Sequence, residues 1–300
     1  MLGVVNLDKP AGPTSHDMVG LLRRLTGTRR IGHAGTLDPL ASGVLPILVG
    51  AATRFSQELT AGRKRYDAII RLGLRSATDD AEGPLERVAA PDALPDEATI
   101  REALAAFSGT FEQRPPTFSA RKLEGRRAHR AARAGQPVDL APRLVTVDSL
   151  EVLGVHPGDG HVDVRVDIRC GPGTYVRSIA RDLGERLGCG GYLATLRRTE
   201  AAGLRVEGAL TPGQLELMAM EDRLAAAILP VGDLLPLPRL QLTALDARRF
   251  IHGSMVPVEP AVATDGRWAV FRDGELLGIG QLRAGMLQPE KVVAGEAGEG

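Results

Sequence analysis

The chemistry in this chain gathers first around one carboxylate. Asp38 sits in the stretch Gly32-His33-Ala34-Gly35-Thr36-Leu37-Asp38-Pro39-Leu40-Ala41-Ser42-Gly43-Val44-Leu45-Pro46. The glycines allow backbone angles and close approaches that a Cβ forbids. Pro39 fixes its own φ and biases Asp38 towards an extended conformation. A rigid loop that holds one carboxylate suits a nucleophile or a general base. An Asp before a Pro in such a loop also serves as a turn residue bonding its own backbone, and local composition leaves both readings open. A second informative loop is Gly171-Pro172-Gly173-Thr174-Tyr175-Val176-Arg177. Thr174 reads as an N-cap, and Arg177 lies near a helix start and off the apolar stripe. A cation is disfavoured there by the helix dipole, so Arg177 implies an anion nearby, either Asp38 or a phosphate, unless it is a surface arginine.

The elements that must position these groups follow from periodicity. Val4–Leu7 reads as a short strand running into a turn, where Lys9 reads as a solvated lysine and Ser15 as an N-cap for a helix carrying Met18, Leu22 and Leu25. Val44–Val49 reads as a buried strand or helix start. Lys64–Leu74 alternates with period two and places Tyr66 on the apolar face, where most tyrosines are core edges. Ser76–Glu86 reads as a polar loop. Its Asp79, Asp80 and Glu82 lack calcium-loop spacing and read as a solvated turn. Asp96 caps a helix with Ile100, Leu104 and Phe107 on one face. Leu144–Val155 and His161–Cys170 form a hairpin, and Cys170 falls on its inward, apolar side. A secure helix follows, with Val176, Ile179, Ala180, Leu183 and Leu187 in one stripe. Gly190–Thr199 reads as a turn and strand. Thr211-Pro212 opens a helix, and a further helical stretch runs to about Leu229. Pro230–Pro238 reads as a linker before a small β module, and Ala294–Gly300 as a disordered tail.

Bulk properties exclude several classes. The chain has 300 residues with 43% hydrophobic and 25% charged content, enough for one large and one small domain. Its two cysteines, Cys170 and Cys189, have no CxxC spacing, and the six histidines are scattered. A structural metal site, a metal cofactor and a secreted disulfide scaffold are therefore not expected. The N-terminus lacks signal-peptide character, and no apolar run reaches the ~18 residues of a membrane span. A cytoplasmic protein is the default. Net charge is zero, mildly against a polyanionic partner, but the distribution is uneven. Arg23, Arg24, Arg29 and Arg30 precede the Asp38 loop, and Arg114–Arg143 holds eight basic against two acidic residues. On a helix, Arg126, Arg130 and Arg133 would share one side and track phosphates.

These motifs together resemble the TruB family, the bacterial tRNA pseudouridine-55 synthases, over most of the chain. Gly32–Arg54 resembles its signature, Asp8–Ser15 its opening DKPxGxTS, Lys64-Arg65-Tyr66 its second motif, and Arg114–Arg130 its PPxxSAxKxxGxRAY segment, with His129 replacing the final tyrosine. The resemblance implies an α+β fold: a mixed, largely antiparallel central sheet flanked by helices (residues 1–232), followed by a small β-rich PUA-like RNA-binding module (residues 239–294). It implies isomerisation of uridine to pseudouridine at position 55 of the tRNA T-loop, after the base is flipped from the stack. Asp38 would be the essential carboxylate. It would attack C1′, attack C6, or remove the C2′ proton. Arg177 would hold Asp38 ionised, and Tyr66 would stack on the uracil and assist removal of the C5 proton. His33 would fill the gap in the RNA stack, and Tyr175 and Leu196 would line the pocket. Lys9 and the Arg121, Lys122, Arg126, Arg130 face would meet phosphates. The expected partner is the tRNA T-stem-loop, bound by a monomer with no membrane, metal or small-molecule cofactor. The rivals are a non-catalytic RNA-binding or folding-assistance protein and, last, a nucleotide-processing enzyme with an aspartyl nucleophile, which would need phosphate-cradling loops and paired carboxylates.

Overall fold

The computed structural model describes residues 2–116, 122–123, 126–127, 141–259 and 263–293. In chain order its strands are β1 (Gly3–Lys9), β2 (Ile31–His33), β3 (Ser42–Val49), β4 (Lys64–Leu72), β5 (Leu74–Ser76), β6 (Leu85–Arg87), β7 (Gly109–Gln113), β8 (Lys122–Leu123), β9 (Arg126–Arg127), β10 (Arg143–Gly158), β11 (His161–Cys170), β12 (Gly191–Ala201), β13 (Leu204–Arg205), β14 (Ile228–Leu229), β15 (Arg239–Gln241), β16 (Val256–Pro257), β17 (Gly266–Arg272), β18 (Glu275–Arg283) and β19 (Met286–Val292).

A ten-stranded sheet runs β14-β1-β3-β12-β4-β11-β10-β7, with β13 beside β12 and β2 beside β3. All its ladders are antiparallel except β12 against β3, which pairs Arg197 with Ser42 and Arg198 with Gly43. Gly43 has φ +99° at this junction, and a Cβ there would lie 2.2 Å from the Arg198 carbonyl oxygen. Only glycine permits the approach that joins β12 to the strand after the Asp38 loop. β4, the centre of the sheet, pairs along its whole length with β11 and β12. Its alternation puts Tyr66, Ala68, Ile70 and Leu72 in the core.

The two faces of the sheet are covered by different material. Val5, Leu7, Leu45 and Ile47 pack on one side with Val19 and Leu22 of the Ser15–Thr26 helix, Ile100 and Leu104 of the Glu97–Ala105 helix, and Ile179 and Leu183 of the Val176–Arg186 helix. Their alternating neighbours Val4, Val44 and Leu48 pack on the other side with Phe55, Val231, Leu235, Phe271 and Ile279. That second core joins the large sheet to a five-stranded sheet, β15-β17-β18-β19-β16. Among the described residues no helix is long and apolar enough to cross a membrane.

Four expectations are corrected here. The cap of the first helix is Thr14, which forms a reciprocal capping box with Asp17, and Ser15 is freed for another task. The stretch before Leu229 is not a continued helix. It tightens into a 3-10 turn at Leu224–Ala227 and then adds β14 to the edge of β1, pairing with Val4 and Val5. Pro230–Pro238 is not a free linker, because Val231 and Leu235 are buried in the shared core. Arg126 does not start a helical stripe: Arg126–Arg127 pairs with Lys122–Leu123 in a short hairpin. Arg121, Arg130, Arg133, His129 and the tail Ala294–Gly300 lie outside the described residues, as do the side chains of Lys122 and Arg126.

Candidate active site

Asp38 is held from both flanks. The buried Ser15 hydroxyl donates to the Leu37 carbonyl at 2.9 Å and accepts the Leu37 N–H at 2.8 Å. Lys9, fully buried, donates to the carbonyls of Pro10 (2.8 Å), Pro13 (2.6 Å) and Pro39 (3.3 Å). Gly12 N–H donates to the same Pro39 carbonyl at 2.8 Å, and Ala41 N–H closes a turn onto the Asp38 carbonyl at 3.1 Å. The two expectations for Lys9, a solvated turn and a phosphate contact, are therefore both corrected. Three inward-facing carbonyls need a donor, and Lys9 supplies it. Burial holds this ammonium down to about 8.

Arg177 enters from the helix on the far side of the pocket. Its Nη2 lies 2.9 Å from Asp38 Oδ2 and its Nη1 lies 3.3 Å from Asp80 Oδ2 and 3.2 Å from the Thr78 carbonyl. Side-chain exposure falls from 36% at Asp38 to 5% at Arg177 and 3% at Asp80. The arginine is thus neither exposed nor off the buried face, and the Asp79–Asp80 turn is not solvated. One turn along the same helix, Arg181 grips Asp79 at 3.0 Å, so both residues of that turn are tied to one helix. Burial pushes the Asp38 carboxyl up; the Arg177 guanidinium opposes this, and Asp80 adds to the push. The pairing that the sequence suggests is present, but burial outweighs the single cation shared between two carboxylates.

The start of that helix is also set differently from expectation. Its cap position is Tyr175, with no side-chain cap of its own. Gln113, at the end of β7 and 1% exposed, instead accepts the Tyr175 N–H at 2.8 Å and donates to the Tyr175 carbonyl at 3.0 Å. Arg143 lies over the Tyr175 ring at 5.1 Å.

Asp38, Tyr66, Tyr175, Arg177 and Leu196 line one cavity of about 310 Å³, at the small end of the ~300–1,000 Å³ typical of ligand sites. Burial pushes the Tyr66 phenol up, with neighbouring Arg198 pulling the other way, so Tyr66 keeps its proton at neutral pH. His33 lines a shallower adjoining cleft that shares Gly35, Thr36 and Thr60 with the cavity. Burial pushes its pKa down, leaving a neutral ring suited to stacking. Among the described residues, no group of His, Cys, Asp and Glu side chains could hold a metal ion.

Three residues of this assembly, Asp80, Gln113 and Arg198, carry no legible signal in the sequence, and Lys64 is marked only as the first residue of the Lys64-Arg65-Tyr66 motif, with no role. Arg198 is 1% exposed and donates from Nε to the Val44 carbonyl at 2.7 Å and from Nη2 to the Gly35 carbonyl at 3.0 Å. Lys64 donates to the carbonyls of Thr60 at 2.6 Å and Gly62 at 2.8 Å.

The arrangement has counterparts among solved structures. The chain is similar to one in a crystal structure of a Cbf5-Nop10-Gar1 complex, with a TM-score of 0.73 and 28% identity over 97% of this chain and 84% of that one. A structure of an H/ACA RNP bound to a substrate RNA containing 2′-deoxyuridine gives a TM-score of 0.72 and 25% identity, covering 97% and 84%. The fold is that of a pseudouridine synthase. Three family models tile the chain: TruB family pseudouridylate synthase (N terminal domain) over residues 23–176, tRNA pseudouridylate synthase B C-terminal domain over 177–236, and Pseudouridine synthase II TruB, C-terminal, over 238–293. The tRNA pseudouridine synthase B of Thermobifida fusca is 44% identical over 301 residues, 98% of this chain and 99% of the relative. That of Ralstonia nicotianae is 41% identical over 297 residues, 97% and 94% respectively. The chain belongs to the TruB family.

Proposed function

We propose that this protein isomerises uridine to pseudouridine in tRNA, at position 55 of the T-loop. The observation that carries the reading is the Asp38–Arg177 ion pair at 2.9 Å, in a cavity that also holds Tyr66 and Leu196. A protein that only bound RNA would have no use for a carboxylate kept against an arginine in a cavity of this size, and the relatives named above are tRNA pseudouridine synthases.

The target uridine leaves the stack at a cost of a few kcal/mol and enters between Tyr66 and Leu196. Asp38, oriented by Arg177, attacks the sugar or base or takes the C2′ proton, and the C1′–N1 bond breaks. The base turns and C5 bonds to C1′. Tyr66 forms a wall of the pocket. Because its phenol keeps its proton, it handles the C5 proton only as a relay that gives up one proton as it accepts another. Tyr175 closes the sugar side, and the neutral His33 ring stacks where the base has left. Residues 1–232 form the catalytic unit and residues 239–294 a PUA-like unit that adds RNA contact. A tRNA substrate places the protein in the cytoplasm.

The direct test incubates purified protein with an unmodified tRNA transcript and no added cofactor, then maps pseudouridine at base resolution. A single modified uridine in the T-loop is expected. Binding without pseudouridine, on several tRNAs and on ribosomal RNA, would transfer the function to RNA binding alone.

A further inference from the structure

The mechanism above leaves two cations of the cavity unused. Lys64 and Arg198 both line it, and Arg198 is bonded to the carbonyls of the loop that carries Asp38. Both are buried. Both are bonded to backbone carbonyls, and among the described residues neither has a carboxylate within ion-pair distance. Thr60 and Gly62 take two of the three Lys64 ammonium protons. Gly35, with φ +97°, lies against both cations: a Cβ there would stand 3.5 Å from Arg198 Nη1 and 3.9 Å from Lys64 Cε.

Two like charges buried side by side, with no acid between them, cost stability. Burial, with Arg198 adding to it, holds the Lys64 ammonium down to about 8. An anion entering the cavity would relieve that cost. Asp38 is held against Arg177, outside ion-pair distance of either cation, so among the described residues the anion is left to the substrate.

We propose that Lys64, backed by Arg198, stabilises the negative charge that develops on the uracil as its glycosidic bond breaks. This rests on the function proposed above. The electron pair of the C1′–N1 bond passes to N1 and spreads over O2 and O4. C1′ is satisfied either by a new bond to the Asp38 carboxylate or by a double bond to C2′, whose proton Asp38 takes. As the same pair forms the C1′–C5 bond, either the Asp38–C1′ bond breaks and returns its electrons to the carboxylate, or Asp38 returns the proton to C2′ and the double bond opens. The C5 proton then leaves by way of Tyr66 to solvent, and N1 takes one up. Attack on C1′ and removal of the C2′ proton both release an anionic base, so the role of Lys64 is the same in those two routes. Cations fixed where charge develops are worth most in a site of low polarity.

The test compares wild type with Lys64→Met, Lys64→Gln and Lys64→Arg in single-turnover reactions. The tRNA transcripts carry either uridine or 5-fluorouridine at the target position. Fluorine stabilises the anionic base by itself, so it substitutes for part of what Lys64 does. The readout is loss of the N-linked nucleoside after digestion and chromatography, alongside tRNA affinity. Lys64→Met and Lys64→Gln are expected to slow uridine by about 100-fold or more, to slow 5-fluorouridine much less, and to leave tRNA affinity unchanged. Lys64→Arg should keep most of the rate. Gln can still donate to the Thr60 and Gly62 carbonyls, so it tests charge even if Met disturbs the fold. Equal slowing of the two bases, or no slowing, would overturn the proposal. A wild-type protein that makes no pseudouridine would overturn the proposed function itself, which separates the two failures.

Discussion

Asp38 is held in tension with its surroundings. Arg177 is one cation shared by two carboxylates, Asp38 and Asp80, so the trio carries a net negative charge when both acids are ionised. That is why burial and Asp80 together raise the Asp38 carboxyl despite a 2.9 Å ion pair. A carboxyl raised in the folded state binds its proton more tightly there than in the unfolded chain. Its ionisation at neutral pH therefore weakens the fold; the penalty fades as pH falls through the raised value and is gone below the ordinary carboxylate value of about 4. Asp38→Asn should cut turnover by at least ~100-fold while leaving tRNA affinity intact. In thermal unfolding at neutral pH the variant should be at least as stable as wild type. A clearly less stable variant would mean that the ion pair, not the strain of the extra charge, dominates. The same shift sets the acid side of the rate profile. The reaction needs Asp38 ionised, so kcat/KM should fall as pH drops through a value above the usual carboxylate range. An acid limb at about 4 would show an unperturbed carboxyl.

At the scale of elements, the site is a meeting of loops whose anchors lie far away in sequence. Ser15 is 22 residues from Leu37 and clamps it by both backbone groups. Ser15→Ala leaves a buried N–H and C=O without that partner and should cost about 1–3 kcal/mol. It should also lower kcat more than it weakens tRNA binding, because it loosens the residue next to Asp38 and no RNA-facing group. Equal effects on both would mean that the loop is fixed by its prolines alone. The contrast between Ser15 and Asp38 shows what a sequence reading reaches. Asp38, Tyr66, Tyr175, Arg177 and Leu196 were legible because motif resemblance marks them, and β4 and β11 because alternation does. The partners were not legible. Asp80, Gln113 and Arg198 look like ordinary turn or strand residues, and only contacts between segments distant in sequence bring their side chains to Arg177, to Tyr175 and into the pocket. Gln113 meets Tyr175 across 62 residues. Arg198 meets Gly35 across 163. Local composition also misplaced the Asp79–Asp80 turn and Lys9, because charge alone suggests solvent where burial is in fact compensated by a partner.

Over the whole molecule, the two sheets are joined by more than a chain crossing. Phe55, Val231, Leu235, Phe271 and Ile279 form one shared core, and Glu58 is the polar bolt beside it. Its carboxylate, 5% exposed, takes Lys291 at 2.8 Å and Arg267 at 2.9 Å, both from the five-stranded sheet. Burial opposes its ionisation, but the hydrogen bonds from Lys291 and Arg267 prevail and hold the carboxyl below its ordinary range. A lowered carboxyl contributes stability above its unfolded pKa, about 4.3 for Glu, and loses that contribution as pH falls through its folded value. The helix that carries Glu58 also carries Thr60, whose carbonyl holds Lys64 in the cavity. The same junction therefore bears on both docking and the site. Glu58→Gln keeps the shape and removes the charge. It should cost about 2 kcal/mol at neutral pH, with hydrogen exchange rising first in the strands that carry Arg267 and Lys291. As the pH is lowered, wild type should lose stability towards the variant until the two coincide. A difference that stays constant down the acid range would mean that the shared apolar core holds the sheets together without help from the charge.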